Sequence, residues 1–189
     1  MGKIILGSSS PRRTDILKKI NLDFEVIPSS YVENHNQTVF SYDFVEDLAY
    51  NKALYVAKDL QKQGRKDCKV IGADTIVVNE SKILGKPKDY EDAFRMIKQL
   101  SGKKHFVVTA VAVVNSNDLS FSVKSTTTYV SFKNLTDEQI NNYIEEFKPY
   151  DKAGAYGIQE LPQGFVDKVE GDLDNVIGLP AKTVLELLK

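Results

Sequence analysis

The fold turns on Val70-Ile71-Gly72-Ala73-Asp74-Thr75-Ile76-Val77-Val78. These β-branched residues predict a strand, and because successive side chains of a strand point to opposite faces, Asp74 shares a face with Val70, Ile76 and Val78. An ionised carboxylate there loses its water, and burying it without compensation costs on the order of several kcal/mol. A cation, a metal ion or a line of hydrogen-bond donors is expected opposite Asp74. The alternative is that the strand breaks at Gly72 and the carboxylate satisfies a loop.

Outward from this strand, short β-branched runs alternate with longer amphipathic ones, the pattern of an α/β or α+β protein. On the N-terminal side, residues 4–6 predict a short strand. A helix then opens with Ser10 as N-cap, Pro11 at the first helical position, Asp15 in the first turn, and Ile16, Leu17 and Ile20 as its apolar face. Residues 24–27 predict a second strand, stopped by Pro28. Residues 42–60 predict a long helix with Val45, Leu48, Ala49, Ala53, Val56 and Leu60 on one stripe, and the basic segment 61–69 reads as a solvated connection. On the C-terminal side, residues 82–84 predict a hairpin partner and residues 90–100 a helix ended by Ser101-Gly102. Residues 105–114 and 121–132 predict two long antiparallel strands joined by the polar turn 115–118. Thr136, with Gln139 in the capping-box position, starts a helix that runs to Phe147. Residues 153–164 read as a glycine-rich loop, 165–169 as a strand and 180–188 as a final helix. No repeat or clear linker interrupts the pattern, so one domain over 1–189 is expected, with room for two lobes around a cleft.

With 189 residues, 42% of them hydrophobic and 27% charged, the chain has the composition of a soluble globular domain. Its 25 basic and 26 acidic residues leave a net charge of -1, so no broad cationic surface is available to hold a nucleic acid. One cysteine, Cys68, forms no internal disulfide, and the distant His35 and His105 cannot join it in a zinc site. The apolar run 4–6 is too short for an export signal, no stretch reaches membrane-spanning length, and Leu6 stands where a myristoylation signal at Met1-Gly2 needs Ser or Thr. A cytoplasmic location is expected, so the glycosylation-like triplets at Asn36, Asn79 and Asn134 carry no meaning.

Three further features are poorly explained by folding alone. In Gly7-Ser8-Ser9-Ser10-Pro11-Arg12-Arg13, backbone amides at a helix start, hydroxyls and two guanidinium groups converge just after a strand, which is the chemistry of an anion cradle. It lacks the P-loop and dinucleotide-fold glycine patterns, and the structural alternative is a capped helix with two solvated arginines. Lys52 lies on the apolar stripe of its helix, between Leu48 and Val56; it must meet an anion or carry its ammonium out to water, and the second is the commoner fate. Lys86, between Gly85 and Pro87, is a second positioned ammonium or an ordinary turn lysine. Together these groups suit a polyphosphate, and with neither thiolates nor clustered imidazoles only an oxygen-ligated cation such as Mg²⁺ or Mn²⁺ is suggested.

At the level of motifs, the chain resembles the Maf family of nucleoside triphosphate pyrophosphatases over almost its whole length. The marks are Ser8-Ser9-Ser10-Pro11-Arg12-Arg13, Glu33, Asn51-Lys52-Ala53, Gly72-Ala73-Asp74-Thr75, Gly85-Lys86-Pro87, His105-Phe106-Val107-Val108-Thr109, Asp151-Lys152-Ala153-Gly154-Ala155-Tyr156-Gly157-Ile158-Gln159 and Asn175-Val176-Ile177-Gly178-Leu179-Pro180. The resemblance implies a mixed, elongated α/β/α fold with a deep central cleft, like that of inosine triphosphate pyrophosphatases, and a cytoplasmic enzyme that pairs as a homodimer. Such an enzyme cleaves a nucleoside triphosphate between its α and β phosphates with the help of a divalent cation. It implies Asp74 as catalytic acid/base, and Arg12, Thr75 and Gln159 as the residues that govern substrate choice. Ser8, Ser10, Arg13, Glu33, Lys52 and Lys86 fall at the remaining polar positions, with Glu33 as the second acid and Asp74 and Glu33 as the metal-holding pair.

The stretch from Asp151 to Gln159 is similar to the branch acting on dTTP and UTP, and the chemistry agrees: a glutamine amide offers one acceptor and one donor to the N3–H and adjacent carbonyl of uracil or thymine. Three positions depart from the pattern: Glu160 where glycine is usual, Lys148 where glutamate precedes the proline, and Leu173 where an aromatic is common. They bear on substrate preference, and Glu160 is placed to crowd the loop beside Gln159. Two rival readings are a nucleotide-binding regulator without significant turnover and a single-stranded nucleic-acid binder. A carboxylate facing polyphosphate argues against the first, and the balanced charge and absence of tryptophan against the second.

Overall fold

The computed structural model describes residues 2–33 and 37–189; Met1 and residues 34–36, His35 and Asn36 among them, lie outside the described residues. In chain order the elements are β1 (Lys3–Leu6), α1 (Pro11–Lys19), β2 (Glu25–Val26), α2 (Tyr42–Lys62), β3 (Cys68–Asn79), β4 (Lys82–Leu84), α3 (Tyr90–Leu100), β5 (Lys104–Asn115), β6 (Phe121–Phe132), α4 (Asp137–Phe147), a 3₁₀ turn (Ala153–Ala155), β7 (Val166–Glu170), α5 (Leu173–Ile177) and α6 (Ala181–Leu187). Among the described residues seven strands form one open mixed sheet in the order β2-β1-β3-β5-β6-β7, with β4 also on β3. β1 runs parallel to β2 and β3, and the remaining pairs are antiparallel.

Helices cover both faces, as the α/β/α expectation requires. Val45, Ala49, Ala53, Val56 and Leu60 of α2 pack on Val70, Ile76 and Val78 of β3 and on Val108, Ala110 and Ala112 of β5. On the opposite face, α1 and α6 cover Ile71, Ala73, Val111 and Val113, while α3 and α4 cover Val77, Val107 and Val130. This double burial is why β3 reads as a nearly continuous apolar run.

β3 is also where the sheet forks. One of its edges is paired with β5 from Lys69 to Val78. The other is shared: β1 takes Cys68 to Ile71 and β4 takes Val77 to Asn79, leaving residues 72–76 with no strand beside them on that edge among the described residues. α2 approaches closely at Gly72, where a Cβ would stand 2.3 Å from the Ala49 carbonyl oxygen and 2.6 Å from the Ala53 nitrogen. Only glycine admits that approach, and the same turn of α2 carries Lys52 to Asp74.

Several local expectations need correction. Asp15 is not in the first turn of α1, since no acidic residue is, and the Ser10 hydroxyl makes no capping hydrogen bond. The segment 61–69 is not one solvated connection: Gln61 and Lys62 extend α2, because both are good helix formers, and Cys68 and Lys69 begin β3 opposite Lys3 and Ile4. The expected loop 153–164 contains the 3₁₀ turn. α5 was not anticipated, because five residues are too few to reveal a helical period; Asp172 caps it by accepting from the Asp174 amide. The capping box at Thr136 and Gln139 is formed as read.

Candidate active site

The open edge of β3 forms the floor of a cleft of about 890 Å³, and it is lined by every candidate catalytic, binding or metal-holding residue read from the sequence: Ser8, Ser10, Arg12, Arg13, Glu33, Lys52, Asp74, Thr75, Lys86 and Gln159. β1 delivers the first wall. The Gly7 amide continues the ladder by donating to the Ile71 carbonyl at 2.8 Å, after which the chain turns away into α1. There the Ser8 hydroxyl accepts from the Ser10 amide at 3.3 Å and from Arg13 Nη1 at 3.1 Å.

Arg13 is a strut across the cleft floor as well as a charge. Its Nε donates to the Gly178 carbonyl at 2.9 Å and its Nη2 to the Thr75 hydroxyl at 3.3 Å. Burial lowers its pKa, opposed by the negative charges of Asp74 and Glu33. Behind Thr75 runs a chain of polar contacts that the sequence reading missed. Thr75 Oγ1 lies 2.9 Å from Thr109 Oγ1, Thr109 donates to the Asn175 carbonyl at 2.9 Å, and the fully buried Asn175 donates to Val107 and Thr128 oxygens, each at 3.0 Å. A threonine in a run of valines and alanines on β5 was its visible signal.

Asp74 is 7% exposed and the strand does not break at Gly72. Its expected partner is Lys52: the Nζ atom lies 2.5 Å from Asp74 Oδ1 and 2.8 Å from Glu33 Oε1. Lys52 therefore does not extend to water, contrary to the commoner fate of a lysine on an apolar stripe. The reason is the open edge of β3, which places two carboxylates within reach of the ammonium. Among the described residues no group of three or more His, Cys, Asp or Glu side chains is arranged to hold a metal alone. Asp74 and Glu33 do converge, and two carboxylates suit a hard cation that completes its shell with water and phosphate oxygens.

A second ionic chain lines the cleft. Arg12 Nη1 lies 3.3 Å from Asp151 Oδ2, Asp151 Oδ1 lies 2.8 Å from Lys152 Nζ, and Lys152 Nζ lies 3.0 Å from Glu160 Oε2. Burial pushes the Asp151 carboxyl up, but the hydrogen bond and charge of Lys152, together with those of Arg12, carry it below its ordinary value. Lys86 and Gln159 line the cleft as exposed side chains.

The Maf-like protein family model matches residues 3–189. The chain belongs to the Maf family. Among curated relatives, this Maf protein is 46% identical over 187 residues to the dTTP/UTP pyrophosphatase of Thermoanaerobacter sp. (strain X514), covering 99% of this chain and 95% of that one. It is 48% identical over 187 residues to the dTTP/UTP pyrophosphatase of Thermosipho africanus, covering 98% and 92%, and 44% identical over 191 residues to that of Acetivibrio thermocellus, covering 100% and 95%. Each of the eight Maf stretches quoted above contributes at least one residue to the cleft wall. Among the described residues no helix is long and apolar enough to cross a membrane.

Proposed function

We propose that this Maf protein hydrolyses dTTP and UTP at the α–β phosphoanhydride bond, releasing the nucleoside monophosphate and pyrophosphate. One observation carries the reading: a carboxylate buried at the open edge of β3, paired with Lys52, shares a cleft with the Ser8–Arg13 turn. The names of the relatives support the substrate and the reaction.

In this mechanism the triphosphate lies between the Ser10–Arg13 helix start and the ammonium groups of Lys52 and Lys86, which offset its charge. Asp74 positions a water for in-line attack on the α phosphorus and takes its proton as the new P–O bond forms and the bond to the β-phosphate oxygen breaks. Glu33, across Lys52 from Asp74, is the second acid. Asp74 and Glu33 are the residues that would hold a divalent cation. When bound, that ion neutralises phosphate charge as pyrophosphate leaves. At the base end, the Gln159 amide meets the N3–H and a carbonyl of uracil or thymine; cytosine presents the reversed donor and acceptor, so an amide held in the uracil orientation leaves its groups unpaired there, a loss of about 1–3 kcal/mol. Thr75, engaged by Arg13 and Thr109, contributes by holding the guanidinium in place.

The test is incubation with UTP labelled in the γ position, followed by separation of products. Labelled pyrophosphate with UMP is expected; labelled orthophosphate contradicts the assigned bond, and binding without turnover favours a nucleotide-sensing regulator.

A further inference from the structure

Glu160 stands where the family's pattern has glycine, and the structure gives it a partner. The turn that carries Gln159 closes on itself through the Glu160 amide, which donates to the Gly157 carbonyl at 2.9 Å. Beneath the turn, the Glu160 side chain reaches back to Lys152, Oε2 to Nζ 3.0 Å. That oxygen is buried without an aligned hydrogen bond among the described residues, so the ammonium charge is what offsets its lost hydration. Lys152 is itself only 7% exposed. The pair lies flush under the turn: a Cβ at Gly157 would stand 2.9 Å from Lys152 Cε and 3.1 Å from Glu160 Oε2. Glu160 therefore does not merely crowd the loop beside Gln159; it ties the two ends of the segment 152–160 together.

The tie reaches the other wall. Lys152 also holds Asp151, whose second oxygen holds Arg12. With Glu160 present, two carboxylates share the Lys152 charge, and Asp151 keeps one oxygen for Arg12. With Glu160 absent, Lys152 is left to Asp151 alone and the segment under Gln159 loses its cross-link.

We propose that Glu160 is a positioning residue for base selection: by anchoring Lys152 it fixes the turn that presents Gln159 and sets the Asp151–Arg12 contact. The inference rests on the reading of Gln159 given under the proposed function. Its expected signature is a loss of discrimination without a loss of chemistry, because Glu160 is absent from the reacting groups. In Glu160→Gln and Glu160→Gly, kcat for UTP stays within about twofold of the parent, while the preference for UTP over CTP in kcat/KM falls about 3- to 10-fold through a higher KM for UTP. Glu160→Asp, which keeps the charge, restores part of the preference.

The experiment measures kcat and KM for UTP and CTP in the parent and the three variants, with thermal unfolding as a check that each is folded. In parallel, the affinities of the non-hydrolysable α,β-imido analogues of UTP and CTP are measured by calorimetry. A preference unchanged in folded Glu160→Gln, or a fall in kcat equal for both nucleotides, overturns the proposal. If the parent releases no pyrophosphate, the proposed reaction fails instead, and the analogue affinities still judge Glu160: their ratio must fall in Glu160→Gln and Glu160→Gly, or the positioning role is wrong.

Discussion

Protonation of His105 will destabilise the fold below neutral pH by an amount that the structure sets. His105, near the start of β5, is 2% exposed; its Nε2 lies 2.8 Å from the Tyr156 hydroxyl, and its buried Nδ1 has no partner among the described residues. The ring meets Phe132 and Tyr156 edge-on, so the imidazolium has no carboxylate among these neighbours. Burial lowers its pKa from 6.5 to about 4. The unfolded chain thus binds the proton more readily than the folded one, so the contribution is complete above about pH 6.5 and is lost as pH falls toward 4. Between these two values the loss reaches about 2 kcal/mol at pH 5 and about 3 kcal/mol at pH 4. Urea unfolding of the parent and of His105→Gln at pH 7, 6, 5 and 4.5 isolates it, because the remaining titrating groups cancel in the difference. The stability gap between the two proteins should narrow by about 2 kcal/mol from pH 7 to pH 5. Parallel curves over that range refute the reasoning.

Asp74→Asn keeps the shape and removes the charge; kcat for UTP should fall about 10²- to 10⁴-fold while circular dichroism and cooperative unfolding persist, and near-normal turnover excludes Asp74 as the base. Gln159→Ala should flatten the ranking of UTP, dTTP, CTP and GTP in kcat/KM more than it lowers kcat, and an unchanged ranking removes Gln159 from base recognition. Lys52→Met leaves Asp74 and Glu33 facing each other without their ammonium, at a cost of about 3–5 kcal/mol in denaturant unfolding; a loss under about 0.5 kcal/mol contradicts the pairing. Gly72→Ala puts a methyl against the Ala49 carbonyl of α2 and should cost about 1–3 kcal/mol with loss of turnover, whereas a fully active, equally stable variant disproves the close approach.

How much of this was legible depended on the range of the interaction. β6 occupies the predicted residues 121–132, and the Thr136–Gln139 capping box forms as spelled, because both depend on residues a few positions apart. The carboxylate at Asp74 announced that a cation was needed but not which one, since Lys52 is 22 residues away and local pattern favours its extension into water. Arg13 reaches Gly178 across 165 residues and Arg12 reaches Asp151 across 139; neither contact leaves a mark on local periodicity. Residue chemistry alone grouped the serine-arginine turn, Lys52 and Lys86 as suited to a polyphosphate; only the resemblance, which joins distant motifs by likeness, brought Glu33 and Gln159 to them. It assigned no role to Lys152, or to the polar chain through Thr109 and Asn175, because their partners are visible only in three dimensions.

The fork in β3 explains why one strand can supply both ends of the site. Adjacent residues of a strand point to opposite faces, so in a sheet paired along both edges Asp74 and Thr75 would be separated by the sheet itself. Here Asp74 turns toward Lys52 on α2 and Thr75 toward Arg13 on α1, yet both line the same cleft. That is possible only because, among the described residues, no strand lies beside residues 72–76 on the cleft side, so the space continues around the bare edge from one face to the other. Parallel pairing brings β1 alongside only as far as Leu6, and the hairpin brings β4 back only to Val77, leaving a gap between the two strands. A nucleotide lying in that gap can thus meet the carboxylate from one face and the arginine anchored on the other at the same time, without either helix having to move.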